Sequence, residues 1–302
     1  MAAGDLRGRD IALLMLVCLT WACNFLTSAI ALREVPPILF TALRFILLLV
    51  VLLPLIRRPP PAQWPRLIAS SLLVGVLHFT LGFVAVKLAG QLTSPAILMQ
   101  SYVPMTTLLA WWLLGERFGW RTGLAIATSF VGVLVLGLDP DVLAKPMASL
   151  AMLTAALMLA IATIMMKGQS GISVWSQQGW MAALSILPLL ALSAWLEPGA
   201  IAHLPQVSWK AWFGAAFAAY ASSLLGHGLY YYLVQRRPVA QLMPWLLLVP
   251  VFAMALGIAF YGDRPGTRVW IGGALVLGGV FVIAIRQLQR GRQAVSPPVP
   301  ET

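Results

Sequence analysis

The sequence predicts an all-α integral membrane protein of ten transmembrane helices, arranged as two five-helix inverted-topology repeats with both termini cytoplasmic. Three observations carry this expectation. Of 302 residues, 60% are hydrophobic and only 10% charged, whereas soluble domains are roughly a quarter charged. Apolar runs of about 20 residues, the length that crosses a hydrocarbon core of roughly 30 Å, recur ten times. The stretch at residues 94–117, SPAILMQSYVPMTTLLAWWLLGER, also returns at 240–264 as AQLMPWLLLVPVFAMALGIAFYGDR. Both stretches carry two prolines and a Val-Pro pair (Val103-Pro104, Val249-Pro250), and both end on an acid-Arg pair (Glu116-Arg117, Asp263-Arg264). An internal repeat decides the architecture before any local reading does.

The elements follow in chain order. Residues 1–9 are an amino-terminal cytoplasmic segment. The first apolar run, at about 10–32, is too long for a signal-peptide core and has no A-x-A-like cleavage site, so it is expected to remain in the mature protein. Further runs fall at about 36–56, 66–88, 93–115 and 119–137, completing a first repeat over 10–137. A connecting loop at 138–146 leads to a second repeat over 147–286, with runs at 147–167, 174–196, 209–234, 239–262 and 267–286. Pro36-Pro37, Pro59 to Pro61, Pro140, Pro205 and Pro238 punctuate the connections, where helices must stop. Residues 287–302, ending VSPPVPET, read as a disordered cytoplasmic tail.

Charge sets the orientation. With the amino terminus inside, thirteen Lys and Arg residues fall on the inner side and six on the outer, leaving Arg44 within the second span. Five spans per copy is an odd number, so the second copy crosses in the opposite sense. Such pairs let one central site face each side in turn. The formal net charge of +11 is spread over short loops rather than one basic face, which argues against nucleic acid. Cys18 and Cys23 have neither metal-ligand nor disulfide-framework spacing. No metal and no cofactor are expected.

Several stretches resemble the EamA-type members of the ten-helix drug/metabolite transporter superfamily. The residues concerned are Leu19-Thr20-Trp21-Ala22-Cys23-Asn24-Phe25, Pro36-Pro37 with Ala42-Leu43-Arg44-Phe45, Gly115-Glu116-Arg117, and Gly123 with Gly132-Val133. The likeness runs from about Ile11 to Arg286, and residues 226–251 are most similar to bacterial amino acid exporters of the YddG type. The resemblance implies alternating-access export of amino acids or related metabolites across the bacterial inner membrane. Export of other small metabolites or drugs is the alternative. A membrane-embedded enzyme acting on lipid-linked substrates is less favoured, because no Asp-x-x-Asp, His-Glu-x-x-His or phosphate-cradling loop is present.

A carrier of this kind holds substrate near the midplane, so polar and aromatic residues within spans are the candidate site. They are Trp21 and Asn24 in span one, His78 and Thr80 in span three, and Gln100, Ser101 and Tyr102 in span four. Span eight adds Ser222, Ser223, His227, Tyr230 and Tyr231, and span nine adds Trp245. Uncharged dipoles and aromatic faces suit a zwitterion, since rings attract ammonium by about 0.5–2 kcal/mol. Arg44, Pro104, Pro250, Glu116 and Asp263 are assigned gating or structural roles, with a carboxylate anchor as the alternative for Arg44. All nine acids lie at helix ends or in loops, so a buried carboxylate proton relay is not expected. Transport then either runs down the substrate gradient or couples to protons through His78 or His227. The Gly- and Val-rich spans five and ten are expected at the periphery, against lipid or a second copy in a homodimer.

Overall fold

The computed structural model describes residues 7–167, 169–234, 236–237 and 239–295. Every regular element among them is helical. Among the described residues, nine helices are long and apolar enough to cross a membrane: α1 (Gly8–Ala31), α2 (Pro37–Leu55), α3 (Pro61–Ala89), α4 (Thr93–Leu114), α5 (Trp120–Gly137), α6 (Pro146–Lys167), α7 (Val174–Leu196), α9 (Pro244–Tyr261) and the Thr267–Arg286 part of α10 (Thr267–Val295). The remaining long helix, α8 at 209–234, joins segments of 8, 10 and 8 residues. It is long enough to span, but Ser222, Ser223, His227 and its tyrosines dilute its hydropathy, so it falls outside the nine. α10 continues past Arg286 to Val295, because no proline interrupts Gln287 to Val295. Residues 296–302 of the expected tail lie outside the described residues.

The helices exchange partners in a regular way. α1 packs on α8 as α6 packs on α3, α1 on α9 as α6 on α4, and α2 on α8 as α7 on α3. α2 pairs with α7, and α5 with α10. A shift of five places in helix order therefore maps these contacts onto one another. The same symmetry holds for single atoms at the α5–α10 contact. A Cβ on Gly132 would lie 2.7 Å from the Gly272 carbonyl oxygen, and one on Gly279 would lie 2.5 Å from that of Ala125. These two pairs are related by the sequence offset of 147. Glycine lets the two backbones touch where a side chain would force them apart.

α4 and α9 are each broken, and proline causes both breaks. Pro104 has no N–H to offer the Gln100 carbonyl four residues back. That carbonyl instead accepts from Val103 N at 3.1 Å, and the helix restarts at Tyr102. In α9 the break falls at Leu247, before Pro250. Three π-helical stretches widen α3 (Leu72–His78), α8 (Phe217–Gly226) and α9 (Gly257–Tyr261). Such widening is frequent at functional sites, because it re-aims side chains and frees carbonyls.

The surface is apolar, as lipid requires. Trp112, Trp120, Trp195 and Trp209 are more than two-thirds exposed, and Leu134 and Leu187 stand out between them. Inside, the largest fully buried side chain is not a hydrophobe but Arg44.

Candidate functional site

The polar residues of α1, α2, α3 and α8 converge around the widened part of α8. The Trp21 indole donates to the Ser222 carbonyl at 3.2 Å, and its ring centroid lies 5.0 Å from His227 and 5.8 Å from Tyr230. The indole comes this close because residue 226 is glycine. A Cβ there would sit 2.6 Å from Trp21 Nε1. His227 Nδ1 donates to the same Ser222 carbonyl at 3.0 Å, five residues back, a reach that the π geometry provides.

His78 on α3 reaches instead to another helix. Its Nδ1 donates to the Ala155 carbonyl on α6 at 3.0 Å. A carbonyl can only accept, so in both histidines Nδ1 carries the proton. Nε2 is then the bare acceptor of the neutral ring. Phe79 lies edge-on to His78, centroids 4.8 Å apart, and the Arg44 guanidinium stacks 4.0 Å above Phe79.

Arg44 is 2% exposed. Its Nε and Nη2 both donate to Ser223 Oγ, at 3.1 and 2.7 Å. Ser223 Oγ in turn donates to the Ala218 carbonyl at 2.7 Å. Nη1 has no hydrogen-bond partner among the described residues. Arg44, His78 and His227 lie within Coulombic reach of one another.

The α4 candidates lie at its break. Gln100 and Ser101 are buried, and Ser101 Oγ is without a partner, as is Thr80 Oγ1 on α3. Tyr102 is half-buried and within electrostatic reach of Tyr230. Asn24 is turned toward its own helix, where Ser28 Oγ donates to its Oδ1 at 3.4 Å. Trp245 packs with Leu14, Leu233 and Leu242, and its carbonyl accepts from Cys18 Sγ at 3.3 Å. The Tyr231 side chain lies outside the described ones. A groove of about 500 Å³ between α5 and α10, lined by Trp120, Leu124, Thr128, Phe281 and Arg286, contains none of the candidates.

The acids work at helix starts. Asp263, after α9, accepts from the Leu92 and Thr93 amides at 2.9 and 2.8 Å, and from the Thr93 hydroxyl at 2.6 Å, at the start of α4. Glu197, after α7, accepts from the Ile38 and Leu39 amides of α2 at 2.8 and 2.9 Å. Glu34, after α1, accepts from the Ser208 amide and hydroxyl, both at 2.6 Å, at the start of α8. Those two Ser208 bonds, the hydroxyl's first, hold the Glu34 carboxyl below its ordinary range. Each carboxylate meets the exposed N–H groups and positive dipole end of a distant helix. Glu116 instead pairs with Lys167 at the exposed end of α4. Neither Glu34 nor Glu197 stands out in sequence, because each partner lies more than 150 positions away.

A model of the EamA-like transporter family matches the chain twice, over residues 9–138 and 146–285. The chain belongs to the EamA-like transporter family. It is therefore a multi-pass membrane transporter rather than an enzyme, with a small molecule as its cargo. Among EamA-like relatives, a "Probable amino-acid metabolite efflux pump" of Escherichia coli (strain K12) is 24% identical over 283 residues, covering 91% of this chain and 94% of that one. A "Probable terminal-alkyne amino-acid exporter" of Streptantibioticus cattleyicolor is 26% identical over 196 residues, 64% of each chain. A solved crystal structure superposes with a TM-score of 0.57 at 19% identity, covering 96% of this chain and 100% of the other. The EamA-like chain shares its fold.

Proposed function

We propose that this protein exports amino acids or closely related small metabolites across the bacterial inner membrane by alternating access. The observation that carries the reading is the cluster of Trp21, His78, Ser223, His227 and Tyr230, with Arg44 beside it. It is drawn from α1, α2 and α3 in one half and α8 in the other, and it holds dipoles and aromatic faces but no carboxylate. The printed names of the amino-acid exporters among its relatives point the same way. Gln100, Ser101, Tyr102, Asn24 and Trp245 complete the binding region as the halves move, and the breaks at Pro104 and Pro250 are the hinges. α8 serves as the tenth span. Residues 10–137 and 147–286 act as oppositely oriented repeats with both termini cytoplasmic. The outer faces of α5 and α10 lie against lipid or a second copy in a homodimer. Transport runs down the substrate gradient.

The test is uptake of a panel of radiolabelled neutral amino acids by proteoliposomes, with Gln100→Ala, His78→Ala and His227→Ala alongside. Saturable transport that is lost in variants retaining the fold supports the reading. Absence of transport for every amino acid overturns it and directs the search to drugs, sugars or nucleosides.

A further inference from the structure

Among the described residues no carboxylate pairs with the Arg44 guanidinium. Burying an unpaired ion costs several kcal/mol, and proteins offset this with a carboxylate or with a full set of hydrogen bonds. Arg44 has neither. Asp10 pairs with Arg237, Glu116 with Lys167, and Glu34, Glu197 and Asp263 sit on helix starts. Asp139 caps the turn at Asp141. Among the described residues Arg44 has one hydrogen-bond acceptor, Ser223 Oγ, and it is fully used: it accepts twice and donates once. Aromatic rings supply the rest of the surroundings, with Phe79 at 4.0 Å and Phe83 and Phe45 at 5.9 and 6.0 Å. They stabilise a cation but cannot accept the hydrogen bonds that Nη1 still offers.

We propose that Arg44 is the recognition point for the carboxylate of the transported molecule, so that the carrier selects carboxylates over the matching amides, esters and amines. This rests on the reading of the protein as an amino acid or metabolite exporter and narrows it. A planar fork with a free edge matches a carboxylate in two-point geometry, which a lysine ammonium does not reproduce. The bare Nε2 acceptors of His78 and His227, with the faces of Trp21 and Tyr230, receive the ammonium end. The bonds from Arg44 to Ser223 also join α2 to α8, across the two halves. A residue that merely held α2 to α8 would leave the substrate's charge irrelevant.

Reconstituted full-length protein, loaded with an unlabelled neutral amino acid that it carries, is assayed for counterflow of the labelled form. Competitors are that amino acid, its amide, its methyl ester and the corresponding amine. The expected result is that the amide, ester and amine compete about tenfold or more weakly than the acid. Ser223→Ala keeps this preference because the guanidinium remains. Arg44→Lys keeps part of it at a raised KM, and Arg44→Gln loses it. Should Arg44→Gln fail to fold, the competition ratios of the unaltered protein and of Ser223→Ala decide the matter. Equal competition by acid and amide in the unaltered protein overturns the inference while leaving amino acid export standing. Failure to carry any amino acid overturns the export reading itself.

Discussion

Replacing Gly132 by alanine tests the α5–α10 contact on which the symmetric packing depends. The added Cβ would lie 2.7 Å from both the Gly272 carbonyl oxygen and the Val276 amide nitrogen, and 2.9 Å from Leu275 Cβ. Ordinary contact begins at 3.4 Å, and two of the three obstacles are backbone atoms that no rotamer change can move. The helices must separate, and overpacking of this kind costs about 1–3 kcal/mol. Alanine's better helix propensity returns up to about 1 kcal/mol. Gly278→Ala, in the facing helix α10, is the control, because nothing lies within 4 Å of its Cβ. That substitution keeps the propensity gain and meets no clash. The propensity gain is common to both, so the two alanine variants should differ by about 1–3 kcal/mol, or about 2–12 °C in Tm on the scale of 2–4 °C per kcal/mol. Tryptophan fluorescence during thermal unfolding in detergent reads this directly. Gly279→Ala, the 147-residue counterpart of Gly132, should shift in the same direction. Equal midpoints for Gly132→Ala and Gly278→Ala would refute the close-packed interface.

Other expectations follow from the carboxylates and histidines. Glu197→Ala leaves the Ile38 and Leu39 amides uncapped and should destabilise the protein by about 1–2 kcal/mol, measured as a lowered Tm. Hydrogen bonds from Ser208 lower the Glu34 carboxyl below its ordinary 4.5. Its contribution to stability is therefore complete above 4.5 and is lost as pH falls through the lowered folded value. A pH series of melting curves should show that loss only below pH 4.5, and Glu34→Gln should remove that part of the acid dependence. With no carboxylate relay among the central residues, an imposed pH gradient should change the initial transport rate by less than about twofold. A larger dependence, abolished by His78→Gln or His227→Gln, would show proton coupling instead.

The breaks in α4 and α9 are legible in sequence because proline acts locally. The carbonyl that Pro104 leaves without its donor is fixed by chain geometry alone, and the repeated Val-Pro pair marks both sites. The π-helical stretches are not legible. Their register depends on distant donors such as the Trp21 indole on the Ser222 carbonyl, 201 positions away. Asn24 shows the same limit from the other side: its type and depth single it out in sequence, but that its Oδ1 accepts from Ser28, one turn on, is a fact of the folded helix. The helix-end acids are visible in sequence as end residues, yet which helix each one caps is a tertiary fact. α8 is a case where function and legibility conflict, since the polar side chains that make it interesting also lower the hydropathy by which a span is recognised.

The most direct test of the central claim, that the two halves exchange conformation around the Arg44–Ser223 cluster, is a reversible lock at one end of the bundle. Glu34 and Ser208 are hydrogen-bonded across the halves. The only cysteines, Cys18 and Cys23, are free thiols that can be replaced by alanine. In that background Glu34→Cys with Ser208→Cys, oxidised in proteoliposomes, should stop amino acid transport, and a reductant should restore it. Full-rate transport by the cross-linked protein would contradict alternating access.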